Sequence, residues 1–104
     1  MNLSNYEKEN IKKRIVKKLR LQEEIRKIVI FGSFLSDKNP SDIDVAVFQN
    51  SKEDYLQLSL RYRKAVREIS KKIPIDIIPI LTNKSNDFVL NEIESGEVVF
   101  ERGR

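Results

Sequence analysis

Between Ser41 and Phe48 the chain reads Ser-Asp-Ile-Asp-Val-Ala-Val-Phe, two aspartates one residue apart leading into branched apolar residues. Successive side chains of an extended chain point to opposite faces. If the stretch is a strand, Asp42 and Asp44 lie side by side above one face, while Ile43, Val45 and Val47 enter a core on the other. The fold must then contain a sheet that buries one face and tolerates paired carboxylates on its other side. Neighbouring carboxylates raise each other's pKa unless a cation lies between them, and a hard divalent ion with oxygen ligands suits that place. Two surface aspartates at a loop-strand junction leave the same trace, and for an isolated Asp-x-Asp that plainer reading is the better one.

The preceding stretch changes the balance. Ile28, Val29, Ile30 and Phe31 form a wholly apolar run that predicts a buried strand. It ends in Gly32-Ser33, where a missing side chain lets the backbone come close to a ligand. Exposed amides there, with the Ser33 hydroxyl, suit phosphate oxygens; an ordinary turn glycine is the competing reading. Asn39, Pro40 and Ser41 supply the turn chemistry that returns the chain to the second strand. Lys38, in the same loop, offers a point charge for a phosphate, or simply a solvated lysine.

A third strand is predicted at Ile75 to Ile80, after Pro74 closes a helix. Asp76 shares a face there with Ile78 and Ile80, and a charge in so apolar a strand needs a partner, a metal ion or a place at the sheet margin. Pro79 lacks an amide hydrogen and favours an edge. Upstream, Ser4-Asn5-Tyr6-Glu7 has the form of a capping box, and Ile11, Ile15 and Leu19 continue it into a helix of roughly residues 5 to 24. A second, long helix follows the Ser51 to Asp54 capping pattern, with Tyr55, Leu58, Tyr62, Ala65 or Val66, Ile69 and Ile73 at helical spacing. Leu56 and Leu60 widen its apolar stripe; burial in the core is preferred over a dimer or partner surface. A polar connection from Thr82 to Asp87, a short helix from Phe88 to Glu94, a cap at Gly96 and a final short strand complete the chain. The order of elements predicts an α/β (α+β) fold, a small mixed sheet with helices on one face and the three aspartates on the other.

Composition narrows the chemistry. A chain of 104 residues without cysteine or histidine has no disulfide framework, no thiolate and no imidazole, so a metal site must be built from oxygen atoms. Magnesium, manganese and calcium remain. The length suits one domain over residues 1–104, and neither a membrane span nor a signal peptide is evident, which points to the cytoplasm. A net charge of +4 favours anionic partners only weakly. The lysine-rich faces of the first helix suit RNA, a protein or plain solvation, and without interleaved aromatic residues single-strand stacking has little support.

Gly32-Ser33, the loop, Ser41-Asp42-Ile43-Asp44-Val45 and the later Asp76 together resemble the signature of the DNA polymerase beta-type nucleotidyltransferases, in their minimal, antitoxin-like form. The resemblance extends through Asn91 to Phe100. It implies that Asp42, Asp44 and Asp76 bind two magnesium ions and that Gly32, Ser33 and Lys38 hold a nucleoside triphosphate. The implied reaction transfers a nucleoside monophosphate, AMP from ATP, to an acceptor such as a tyrosine of a HEPN-domain toxin. Asp76 would take the hydroxyl proton. Phe34, Leu35, Ser36 and Asp37 stand where many minimal members carry arginine. Two other classes remain open, a non-catalytic antitoxin subunit and a metal-dependent phosphohydrolase that uses water.

Overall fold

The computed structural model describes residues 2–82, 93 and 95–103. Its elements are α1 (Asn5–Leu19), β1 (Ile25–Phe31), α2 (Ser33–Ser36), β2 (Ile43–Gln49), α3 (Tyr55–Ala65), α4 (Arg67–Ser70), β3 (Ile75–Leu81) and β4 (Glu97–Glu101). Among the described residues the strands form one mixed sheet in the order β3-β2-β1-β4, with β1 antiparallel to both β2 and β4 and β2 parallel to β3. The parallel pair needs a crossover, which α3 and α4 supply. Pro79 lies in β3, an edge strand, as its missing amide hydrogen requires.

Alternation along the strands decides which side is dry. Ile28 and Ile30 of β1, Ile43, Val45 and Val47 of β2, and Ile75 and Ile77 of β3 pack against Ile11, Ile15 and Leu19 of α1 and Leu58 and Tyr62 of α3. Each fully buried aliphatic side chain is worth about 1.5–3 kcal/mol over its exposed state. The opposite face carries a thinner cluster of Val29, Phe31, Ala46 and Ile93, with Phe48, Ile78 and Ile80 partly covered. All four helices named above therefore lie on one face, and the aspartates rise from the other.

The capping box at Ser4 forms in both directions. The Glu7 amide donates to Ser4 Oγ and the Ser4 amide to Glu7 Oε1, each at 3.1 Å, and the Ser4 amide, helped by the Ser4 side chain, holds the Glu7 carboxyl below its ordinary pKa. The helix expected to continue to about residue 24 ends at Leu19. Ile25 is wholly buried at the start of β1, so the chain must turn before it. Arg102 holds that turn from across the fold, donating to the Arg20 carbonyl at 2.8 Å and the Ile25 carbonyl at 3.0 Å. A carbonyl left over at a helix end needs such a donor.

The second helix differs from expectation in three ways. Its N-cap is Asp54, which accepts from the Leu56 amide at 3.2 Å, while Ser51 Oγ accepts from Glu53 and lies outside the helix. It breaks at Val66, where φ is −105° and ψ 14°, and resumes as α4, so one helix becomes two. Leu56 and Leu60 are 61% and 56% exposed rather than buried. The inward stripe is Leu58, Tyr62, Val66 and Ile69; Leu56 and Leu60, each two residues from it, lie about 200° round the helix at 3.6 residues per turn.

Tyr62 is fully buried, and its hydroxyl donates to Glu24 at 2.8 Å. Arg61 bridges Glu24, at 2.9 Å, and Glu53. Burial pushes the Tyr62 pKa well up and the Glu24 carboxylate reinforces it. For Glu24 itself burial acts upward, but hydrogen bonds from Tyr62, its own backbone and Arg61 prevail and leave it depressed.

Gly96 closes a turn through its amide to the Ile93 carbonyl at 2.8 Å, without the positive φ of a left-handed helix cap. A Cβ there would lie 2.6 Å from the Ile30 carbonyl oxygen and 2.9 Å from Phe31 Cβ. Close approach to β1 is what demands glycine. The expected helix from Phe88 to Glu94 lies, apart from Ile93, outside the described residues, as does the connection before it beyond Thr82. Among the described residues no helix is long and apolar enough to cross a membrane.

Candidate active site

Asp42 precedes β2, Asp44 is its second residue, and Asp76 is the second residue of β3. The parallel register sets Asp44 opposite Asp76 and Ile43 opposite Ile75, and the Ile43 amide donates to the Pro74 carbonyl at 2.9 Å where the two strands begin. Neighbouring strands lie about 4.8 Å apart, so two carboxylates in register on one face must meet. Asp42 joins them because it is two residues from Asp44. One carboxylate oxygen from each of Asp42, Asp44 and Asp76 lies within 4.8 Å of the others. Asp42 and Asp44 are half-buried and Asp76 is exposed, which leaves the cluster open to solvent.

Gly32 borders this cluster. It follows Phe31, whose partner across the ladder is Asp44, and takes φ of 81°, a conformation that favours glycine. A Cβ there would stand 2.5 Å from Asp44 Oδ2. The glycine is therefore required twice, for its backbone and for the room it leaves the carboxylate. Ser33, the first residue of α2, is exposed. Lys38 is exposed as well, and its backbone carbonyl accepts from the Leu3 amide at 3.0 Å. The three aspartates and Gly32 are thus drawn together, with Ser33 next to Gly32 in the chain and Lys38 farther along the same loop.

Two supports of the site escaped sequence reasoning. Phe34 is wholly buried beneath α2, so the position after Gly-Ser anchors the loop in the core. Lys8 is buried too, with its ammonium 5.5 Å from the centre of the Phe34 ring and donating to the Asp37 carbonyl. The available signal was spacing: Lys8 falls three residues before Ile11 on the stripe that continues to Ile15 and Leu19.

No lysine or arginine forms an ion pair with Asp42 or Asp76 among the described residues. Converging carboxylates in a chain without histidine or cysteine make a donor set of hard oxygens, which fits magnesium or manganese.

Residues 13–104 match the model of the polymerase beta nucleotidyltransferase family. The chain belongs to that family. A search of curated proteins gives no match. Among solved structures, an MNT antitoxin in complex with a tri-AMPylated HEPN toxin of Shewanella oneidensis is similar, with a TM-score of 0.64 and 18% identity over 91% of this chain and 73% of that one. The toxin-antitoxin complex MntA-HepT gives 0.60 and 17% over 90% and 73%. A toxin-antitoxin with AMP-PNP gives 0.63 and 18% over 88% and 73%. At such identity the likeness is one of fold. The family match and the sheet agree on a nucleotidyltransferase domain of polymerase beta type, with helices on one face and the acidic cluster on the other.

Proposed function

We propose that the chain, as one domain over residues 1–104, transfers AMP from ATP to a tyrosine hydroxyl of a HEPN-domain partner in the cytoplasm. The observation that carries this reading is the convergence of Asp42, Asp44 and Asp76 beside Gly32. Relatives of the same fold include an MNT antitoxin bound to an AMPylated HEPN toxin and a complex with AMP-PNP, which supports the choice of nucleotide and partner.

In this reading Asp42, Asp44 and Asp76 hold two magnesium ions, or manganese in their place. When bound, the ions neutralise triphosphate charge and lower the pKa of the attacking hydroxyl. The chain's own groups do the remaining work. Ser33 and the amide after Gly32 hold the outer phosphates, with Lys38 as a point charge. The tyrosine oxygen bonds to the α-phosphorus, the bond between that phosphorus and the bridging oxygen breaks, and pyrophosphate leaves with its electron pair. The hydroxyl proton passes to Asp76. Positioning and charge neutralisation supply most of the rate.

The test is incubation with magnesium and each α-labelled nucleoside triphosphate, with and without a HEPN-domain protein, against Asp42→Ala/Asp44→Ala. Label on the partner that disappears with the double variant is the expected result, and orthophosphate release instead would assign a phosphohydrolase. A second reading, a binding subunit without catalysis, draws on Phe34, which is buried where many minimal members carry a phosphate-clamping arginine. Folded protein that binds the partner but labels nothing would favour it.

A further inference from the structure

A groove of about 770 Å³ runs between α1 and β4, on the helix-covered side of the sheet. Val16 and Val99 contribute apolar surface to it, and Leu21, 73% exposed, stands at its margin. The cations Lys13, Lys17 and Arg20 line it from α1. None of the three forms an ion pair among the described residues. The two carboxylates that line it, Glu9 and Glu97, are already taken by Lys12, at 2.9 and 2.8 Å. Burial acts to lower the Lys12 pKa, but the bonds to Glu97 and Glu9 outweigh it and the ammonium stays charged. The groove is left with apolar surface and three unspent positive charges.

From this charge pattern we infer that the α1/β4 groove docks an extended segment of a partner protein in which carboxylates alternate with small apolar residues. Such a segment sets its apolar side chains on the valines and its acids against Lys13, Lys17 and Arg20. A nucleic acid fits less well, because no aromatic residue lines the groove for base stacking. A second copy fits less well too, since it presents the same three cations and the same net charge of +4. The register shift of β4 against β1 near Val99 interrupts the ladder, so a guest rests on side chains more than on added strand pairing. The site lies apart from the acidic cluster, and its test does not depend on the proposed transferase activity.

The experiment uses the full chain and a labelled synthetic peptide alternating glutamate and valine, with a lysine-valine peptide and an RNA oligonucleotide as competing probes, read by fluorescence anisotropy. The acidic peptide is expected to bind best, to weaken with salt, and to lose at least about tenfold in affinity with Lys13→Glu/Lys17→Glu. Arg20→Glu, at the far end of the groove, gives a second route to the same loss. Amide chemical shifts should move in α1 and β4. Equal binding by wild type and both variants, tighter binding of the RNA, or shifts centred on Leu56 and Leu60 of α3 would overturn the inference.

Discussion

The two ends of β2 handle charge in opposite ways. At its C-terminal end, Glu24 and Glu53 share Arg61, and the Tyr62 hydroxyl donates to Glu24, so the acids are matched by donors of this chain and only Arg61 Nε lacks a partner among the buried atoms described. At its N-terminal end, about 17 Å away at 3.3 Å per residue, Asp42, Asp44 and Asp76 converge and no lysine or arginine pairs with Asp42 or Asp76 among the described residues. The first arrangement serves the fold, tying the turn before β1 to α3. In the second, carboxylates are brought together with no cation of this chain on Asp42 or Asp76 among the described residues, and such groups repel. Acids each matched to a donor tie elements together; acids gathered on one face offer their remaining oxygens to a ligand.

The contrast breaks most sharply on substitution. Asp42→Ala/Asp44→Ala should cost nucleotidyl transfer more than the roughly 10–100-fold typical of losing an outer partner of a metal ligand. Its melting temperature should change little, because relief of the repulsion among the three carboxylates offsets what removing Asp44 costs. Kinetics and thermal denaturation on the same preparation check both halves, and a large fall in stability would make the cluster structural after all. Gly32→Ala comes next, at about 1–3 kcal/mol of stability for a strained backbone, with loss of transfer as the new Cβ displaces Asp44. Urea denaturation with an activity assay measures it.

At the other end, Glu24→Gln should lower stability by about 1–2 kcal/mol and leave transfer intact. The folded pKa of Glu24 is depressed, so its stabilisation is present above the ordinary carboxylate range and is lost as pH falls through the depressed value. Wild type should therefore lose stability on acidification more steeply than the variant below about pH 4.5. Denaturation curves across that window would show parallel slopes if Glu24 is not engaged. Leu56→Ser/Leu60→Ser should change stability by no more than about 0.5 kcal/mol, because both side chains are exposed; a loss typical of core leucines would restore the buried reading.

How far the sequence foretold this depends on the range of the interaction. The side-by-side aspartates, the inward isoleucines and the edge position of Pro79 follow from period-two alternation and backbone chemistry, which are local. Asp76 was legible as a charge with no apolar reason to be there, although only the parallel register could bring it to Asp44. Gly32 showed as a place of close approach, but what approaches it in the structure is the Asp44 carboxylate. Gly96, Arg102 and Lys8 owe their roles to atoms far along the chain, the Ile30 carbonyl, the Arg20 carbonyl and the Asp37 carbonyl. Periodicity has no access to such contacts. The same limit explains α3, where the stripe was right at Leu58 and Tyr62 and too wide at Leu56 and Leu60, since the width of a buried face is set by what lies against it.

The central claim is that the acidic end of β2 binds cation and nucleotide while the Glu24 end does not. It is tested most directly by the melting temperature with and without magnesium and ATP, for wild type, Glu24→Gln and Asp42→Ala/Asp44→Ala. A ligand at 100 times its Kd adds about 2.7 kcal/mol. Wild type and Glu24→Gln should rise together by the shift this implies, and the double aspartate variant should not move. An equal rise in all three, or none in the wild type, would contradict the account.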